Sequence, residues 1–346
     1  MTLTAPLRPA PAAPRAPGRG RAPALLALLA VLGAGVVLGL AVGSRTIPAG
    51  TVVDVLFHPD GSDASTIVHD LRLPRTVLAV AVGVALGVAG ALMQGHTRNP
   101  LADPGLLGVE AGAAFAVVLG IHALGVTRLT GYAWFSLAGA GLAALAVLAI
   151  GSSRRGPDPV SLVLAGTAVS ALLFSLTQAI LLRDVDTLDD YRAWSVGSVA
   201  GRGWDVLWQV LPFLLVGLLL AALSASGLDL LQLGDDVASA LGLHPARHKV
   251  VGVAAVVLLT GAATAACGPI GFVGLVVPHV ARSLVGIDHR WVIACSGLLG
   301  ALLVLLTDVL GRVLVRPAEL PVGIVMALVG GPAFVLLVRR SRVIRL

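Results

Sequence analysis

Charge is scarce in this sequence of 346 residues. Only 12% are Asp, Glu, Lys or Arg, while 57% are hydrophobic. Soluble domains carry about 25% charged and about 45–50% apolar residues. A soluble chain of this length needs far more charge to cover its surface, which argues against a cytosolic enzyme or a DNA-binding protein. The apolar content excludes disorder across the bulk of the chain. Lysine is almost missing: Lys249 stands alone, so 23 of the 24 basic residues are Arg. Many of these arginines sit in short loops between apolar runs. They mark membrane topology and do not form a phosphate-binding stripe, so no nucleic-acid partner is expected. Lys249 follows His248, so there is no G-x-x-x-x-G-K-[ST] and no ATP hydrolysis of that kind in this chain. H-E-x-x-H and G-x-S-x-G are also missing. The two cysteines, Cys267 and Cys295, lie inside apolar runs and build neither a disulfide framework nor a zinc site. His244 and His248 are four apart with no third ligand nearby, so no metal site is expected.

What is present is a series of long apolar runs. Residues 1–22 stand apart as a basic tail in which Arg8, Arg15, Arg19 and Arg21 alternate with prolines. Repeated Pro removes helix donors and the segment has nothing to bury, which predicts disorder. The first run, Ala24 to Val42, exceeds the roughly 7–15 residues of a signal-peptide core and approaches the roughly 20 that span a bilayer. It reads as a retained helix. Further runs give ten spans, near 24–43, 74–94, 104–122, 132–151, 160–182, 206–226, 249–266, 269–284, 291–311 and 321–338. Continuous apolar runs indicate helices and not a membrane barrel. The expected fold is an all-α polytopic membrane protein, with residues 23–346 as one transmembrane domain.

Ten spans put both termini on one side. If that side is the cytoplasm, fifteen Lys and Arg fall inside and nine outside, so the charge bias places both ends in the cytoplasm. Segments 45–73 and 183–205 are then long, Asp-rich outer segments and candidates for docking something external. Glycine is abundant, at 42 residues, and small residues recur at four-residue spacing, as in Gly83 and Gly87. Such faces let membrane helices approach closely. Two stretches break the spans with Pro and Gly: GHTRNPLADPGLLG after Gln94, and CGPIGFVGLVVPH from Cys267. One lies in each half of the chain, and each follows a Gly/Ala-rich helix opened by a basic residue. That is the pattern of a transporter with inverted-repeat-like halves.

Ionisable groups inside the runs are few. Asp308 and Arg312, four apart on one helical face, read as an ion pair. Glu110 lies one turn into its helix and is the candidate coupling group for an ion-driven secondary transporter. In the cytoplasmic segment LDLLQLGDDVASALGLH, Gly234-Asp235-Asp236 can start a short helix near 233–243. Val237, Ala240 and Leu241 give it an apolar face and Gly242 stops it. Its acidic residues disfavour anionic lipid and favour a protein partner.

Several stretches resemble the ABC-importer permeases of the iron-siderophore, haem and cobalamin class, the FecCD transport family. They are RLPR (Arg72–Arg75), GALMQGHTRNPLADPGLLGVEAGAA (Gly90–Ala114), LAGTAVS (Leu164–Ser170), LGDDVASALGL (Leu233–Leu243), GPIGFVGLVVPHVARSLVGIDHR (Gly268–Arg290) and AELPVGIVMALVGGPAFVLLVRR (Ala318–Arg340). The resemblance implies a transport subunit of a dimer, homodimeric or paired with a paralogue, with the pathway at its interface and lipid around it. Two separate ATPase subunits inside would hold ATP and magnesium, so this chain needs no cofactor of its own. A substrate-binding protein would dock outside. Arg72, Arg75 and Arg312 match the outer arginines that pair with the binding protein's glutamates. Asn99 and Leu101 match the inner-gate turn, with Gln94 beside it. Gly234, Asp235, Ala240, Leu241 and Gly242 match the coupling helix that enters the ATPase groove. The expected cargo is a ferric siderophore, with haem or cobalamin as alternatives. Glu110 departs from the small polar residue of the family.

Overall fold

The computed structural model describes residues 21–340 apart from 44, 127 and 154–155. The expected tail lies outside these residues except for its last two, Arg21 and Ala22, which already belong to the first helix. Among the described residues seven helices are long and apolar enough to cross a membrane, and three shorter apolar helices accompany them, ten in all. The long ones are α1 (Arg21–Ala41), α4 (Leu73–Thr97), α6 (Leu129–Gly151), α7 (Pro159–Leu181), α9 (Trp204–Leu231), α11 (Pro245–Cys267) and α13 (His289–Leu314). The shorter ones are α5 (Val109–Leu124), α12 (Val273–Val285) and α14 (Val322–Arg340), the last apolar over Val322–Leu336. All ten coincide with the apolar runs of the sequence. Among the described residues regular sheet is limited to a two-pair ladder, Ser152 with Pro157 and Ser153 with Gly156.

Four short helices fill the polar segments. α2 (Ala49–Phe57) and α3 (Asp63–Thr66) lie between α1 and α4, and a π-helical turn, Ile67–Arg72, runs straight into α4. α8 (Val185–Ser195) follows α7, and α10 (Asp235–Ala240) follows α9. The sequence reading left 45–73 and 183–205 as long polar segments. Their helices have local causes. Ser62 accepts from Ser65 N to start α3, and Asp184 accepts from Thr187 N to start α8.

The core is built on α4, α11 and α13, which bury most of their surface. Small residues make this possible. A Cβ on Gly83 would lie 2.4 Å from Gly300 O, and one on Gly87 would lie 2.1 Å from Ser296 O. Backbones therefore meet directly where α4 crosses α13. With no hydrophobic drive between helices in lipid, close van der Waals contact of this kind supplies the association. Gly90 meets Gly274 in the same way and fixes α12 against α4.

The two breaks lie at opposite ends of the bundle, and each begins at a residue of positive φ. α4 ends at left-handed Arg98 (φ 51°) and α11 at Gly268 (φ 78°). Each is followed by an irregular turn and then one of the short apolar helices, α5 or α12. The second turn closes on Phe272, also left-handed at φ 68°. Segment 194–203 lies over this turn, and Ser198 N donates to Cys267 O at 2.7 Å.

Candidate functional site

Three sets of residues carry the functional reading. At the outer end lie Arg72, Arg75 and Arg312. The last four carbonyls of an α-helix lack intrahelical partners and carry the negative end of its dipole. In α1 all four are satisfied. Leu38 O accepts from Val42 N, and Gly39 O accepts from Arg312 Nη1 at 2.8 Å. Leu40 O and Ala41 O both accept from Arg72 Nη1, at 2.7 and 2.9 Å. Arg72 also reaches Arg45 O. Gly43 makes room for this guanidinium, since a Cβ there would lie 2.6 Å from Arg72 Nη2.

Asp308 sits between the other two arginines. Its Oδ1 accepts from Arg75 Nη2 at 2.7 Å, and its Oδ2 pairs with Arg312. The pair of Asp308 with Arg312 expected from their spacing is therefore present, with Arg75 added. Arg75 makes a further 2.7 Å bond to Glu319. The three arginines differ in exposure. The Arg312 side chain is 2% exposed and Arg72 is buried, because both are spent on the end of α1. Arg75, at 13%, is the nearest of the three to the surface next to Glu319.

The second set is the inner turn. Asn99 Oδ1 accepts from Leu101 N at 2.9 Å, an Asx turn that leaves the Leu101 side chain exposed. Asp103 accepts from Gly105 N at 2.8 Å and starts the 3₁₀ turn Pro104–Leu107 that leads into α5. Gln94 is buried one turn before the end of α4. Its Nε2 donates to Gly274 O at 3.1 Å and Leu275 O at 3.2 Å, and its Oε1 accepts from Arg282. His279 Nε2 donates to Pro100 O at 2.8 Å. The sequence reading took Pro278-His279 only as a helix-break feature and gave Arg282 no role, yet both hold this turn. Glu110 is half-buried at the start of α5, and its side chain makes no ion pair or hydrogen bond among the described residues.

The third set is the loop between α9 and α11. α10 is shorter than the expected 233–243. Glycines with positive φ flank it, Gly234 at 109° and Gly242 at 87°. Asp235 faces the bundle. It accepts from Lys249 Nζ at 2.6 Å and from Arg98 Nη2 at 3.0 Å, while Arg98 also caps Leu231 O at the end of α9. Asp235 thus anchors the turn while its side chain stays 44% exposed. Lys249 lowers its pKa by hydrogen bonding, with a further contribution from Arg98. The outward face is Leu233, Val237 and Leu241, which are 62%, 46% and 58% exposed. Ala240 is exposed beside them and Ala238 points inward.

A bundle with ten apolar helices among the described residues, two offset breaks, an outer basic cluster and an inner apolar turn defines a transport permease, a multi-pass protein of the cytoplasmic membrane. The chain belongs to the FecCD transport family, whose sequence model matches residues 28–340. It is similar to the iron(3+)-hydroxamate import system permease protein FhuB of Bacillus subtilis, 44% identical over 320 residues, 92% of this chain and 83% of the relative. The ferric enterobactin transport system permease protein FepD of Escherichia coli is 45% identical over 320 residues, 92% of this chain and 95% of the relative. The hemin transport system permease protein HmuU of Yersinia pestis is 39% identical over 323 residues, 92% of this chain and 94% of the relative. Among solved structures, an inward-facing ABC transporter of metal-chelate type matches with a TM-score of 0.80 and 30% identity, covering 92% of this chain and 99% of that one. The protein is therefore an ABC-importer permease, a transport subunit.

Proposed function

We propose that this permease carries a ferric siderophore inward by alternating access, driven by separate ATPase subunits. The observation that carries the reading is the similarity, across nine-tenths of the chain, to permeases named for iron-hydroxamate and ferric enterobactin import. Two features of the described geometry support such a cycle. Exposed Leu233, Val237 and Leu241 form an apolar stripe that suits an ATPase groove, held in place through Asp235. The turn carrying Asn99 and Leu101 lies at the inner mouth, tied to α12 through His279 and through Gln94. ATP binding would draw these turns together and switch the open side.

The pathway is assigned to a dimer interface along α7. Thr167, Ser175 and Gln178 are exposed on this membrane-spanning helix, close to one stripe. Thr167 and Ser175 bond back to Val163 O and Ala171 O, but a glutamine amide facing lipid is costly. A second permease subunit and an aqueous pathway remove that cost. A binding protein is proposed to dock at the outer end, with Arg75 as the charge nearest its surface. Arg72 and Arg312 then act by positioning the end of α1.

Uptake of radiolabelled iron as a panel of ferric siderophores, in cells with and without the gene, tests the cargo. Loss for one chelate class is the expected result. Unchanged iron uptake with haem uptake reduced would replace the cargo and keep the mechanism. Replacing Glu110 by Gln is expected to leave uptake intact and ATP-dependent. Loss of uptake together with its pH dependence would instead make the permease ion-driven.

A further inference from the structure

α9 and α11 lie side by side, and at their inner ends the space between them opens into a groove of about 430 Å³. Leu220, Leu223 and Val251 form its floor. Arg247, His244 and His248 form its rim, and no acidic residue lines it. Arg247 is exposed and makes no ion pair or hydrogen bond through its side chain among the described residues. The depth of the groove is fixed by packing. His248 lies against Gly227, where a Cβ would come within 2.0 Å of the ring. Leu223 and Leu220 lie one and two turns of α9 farther from the helix end, about 6 and about 10 Å deeper at 1.5 Å per residue. The rim therefore sits where the neighbouring helices end, and the floor sits inside the apolar layer.

We propose that this groove binds an anionic glycerophospholipid of the inner leaflet. Its phosphate rests on Arg247 and takes hydrogen bonds from His244 and His248, while an acyl chain lies along Leu220, Leu223 and Val251. The charge pattern selects this occupant. A basic pocket between transmembrane helices on the cytoplasmic side matches an anionic headgroup. A zwitterionic headgroup brings an ammonium toward Arg247, with no acidic side chain to receive it. Inorganic phosphate meets the rim but makes no use of the apolar floor. The groove continues to Gly242 and Leu243, so a bound lipid also touches the end of the α10 turn.

The test is native mass spectrometry of the purified full-length permease, titrated separately with phosphatidylglycerol, phosphatidylcholine of the same chains and inorganic phosphate. Phosphatidylglycerol should bind at least about fivefold tighter than phosphatidylcholine, the increment for one basic residue at a membrane surface. Arg247→Gln should remove that advantage, Arg247→Lys should keep it, and inorganic phosphate should not displace the lipid. Equal binding of the two lipids, or phosphatidylglycerol binding unchanged in Arg247→Gln, would overturn the proposal. Displacement by phosphate alone would overturn it in favour of a soluble anion. If Arg247→Gln does not purify, Leu223→Trp fills the floor from an exposed position, and phosphatidylglycerol bound to it as to the wild type would overturn the site.

Discussion

His279 donates to the carbonyl of Pro100 across 2.8 Å, so α12 holds the inner turn directly. The adjacent contact of Arg282 with Gln94 ties the same helix to the end of α4. The His279 bond is worth only about 0.5–1.5 kcal/mol net and the bond from the charged Arg282 about 1.5–3 kcal/mol, too little to decide whether the bundle folds. Replacing buried His279 by Leu, which keeps most of the side-chain volume and removes the donor, should therefore leave the amount of folded permease in the membrane nearly unchanged. Uptake should fall several-fold if the turn carrying Asn99 and Leu101 is the inner gate, because that turn is no longer fixed to α12. Transport at the wild-type rate in this variant would remove the contact from the gate.

Asp308 between Arg75 and Arg312 orders a second set of variants. Removing the carboxylate leaves the buried Arg312 guanidinium without its counter-charge, and breaking a buried pair in this way costs roughly 3–5 kcal/mol. Arg75→Gln keeps the pair of Asp308 with Arg312 and removes a less buried partner. Thermal unfolding of the purified permease should therefore drop much further for Asp308→Asn than for Arg75→Gln. The reverse order would show that the cluster is solvated and that α1 is held by something else. Charge reversal at Arg75 should in addition weaken docking of the binding protein, chiefly through a slower on-rate and a changed salt dependence.

The crossing of α4 over α13 gives a steric prediction. A methyl on Gly87 would stand 2.1 Å from Ser296 O, and that atom is backbone, which cannot swing aside. Gly87→Ala must push the two helices apart along the best-packed seam of the protein. The expected outcome is a large loss of monodisperse protein on size-exclusion chromatography. Gly33→Ala, with nothing within 4 Å of its Cβ, should behave as wild type. Equal behaviour of the two variants would contradict the close approach.

These sites differ in how far the sequence alone reveals them. The ten spans are legible because each is a continuous apolar run, and the small-residue seam is legible from the spacing of Gly83 and Gly87. The α10 turn is legible because its signals are local: glycine at both ends, acids at the start and apolar Val237, Ala240 and Leu241 between, although they do not reveal the share of Leu233 in the exposed face. What the runs conceal is partnership over distance. Arg312 finds Gly39 O from 273 residues away, and His279 finds Pro100 O from 179. A count of charges by side can place Arg72 and Arg312 at the outer end. It cannot show that the end of α1 consumes their donors. α8 was hidden for a different reason, since its polar sequence carries no apolar period and its one local signal is the Asp184 cap on Thr187.

The α10 turn separates anchoring from contact, and two substitutions should separate them in function. Asp235 is held below its usual range, chiefly by the hydrogen bond from Lys249. A carboxylate with a lowered folded pKa stabilises fully above its unfolded value, about 3.9, and loses that stabilisation only as pH falls through the lower folded value. Near neutral pH the anchor is therefore constant, and any pH dependence of coupling there must arise elsewhere. Asp235→Asn keeps the shape but gives up a charge-assisted contact that is partly exposed, so coupling should weaken modestly. Leu241→Asp leaves the anchor intact and puts a carboxylate on the 58% exposed residue of the apolar stripe. Burying an unpaired charge against an apolar groove costs several kcal/mol, enough to abolish docking there. The reconstituted complex should then hydrolyse ATP without uptake, or lose its ATPase subunits on purification, while the permease alone keeps its unfolding temperature. Normal uptake by Leu241→Asp would mean that the stripe formed by Leu233, Val237 and Leu241 is not the surface the ATPase holds.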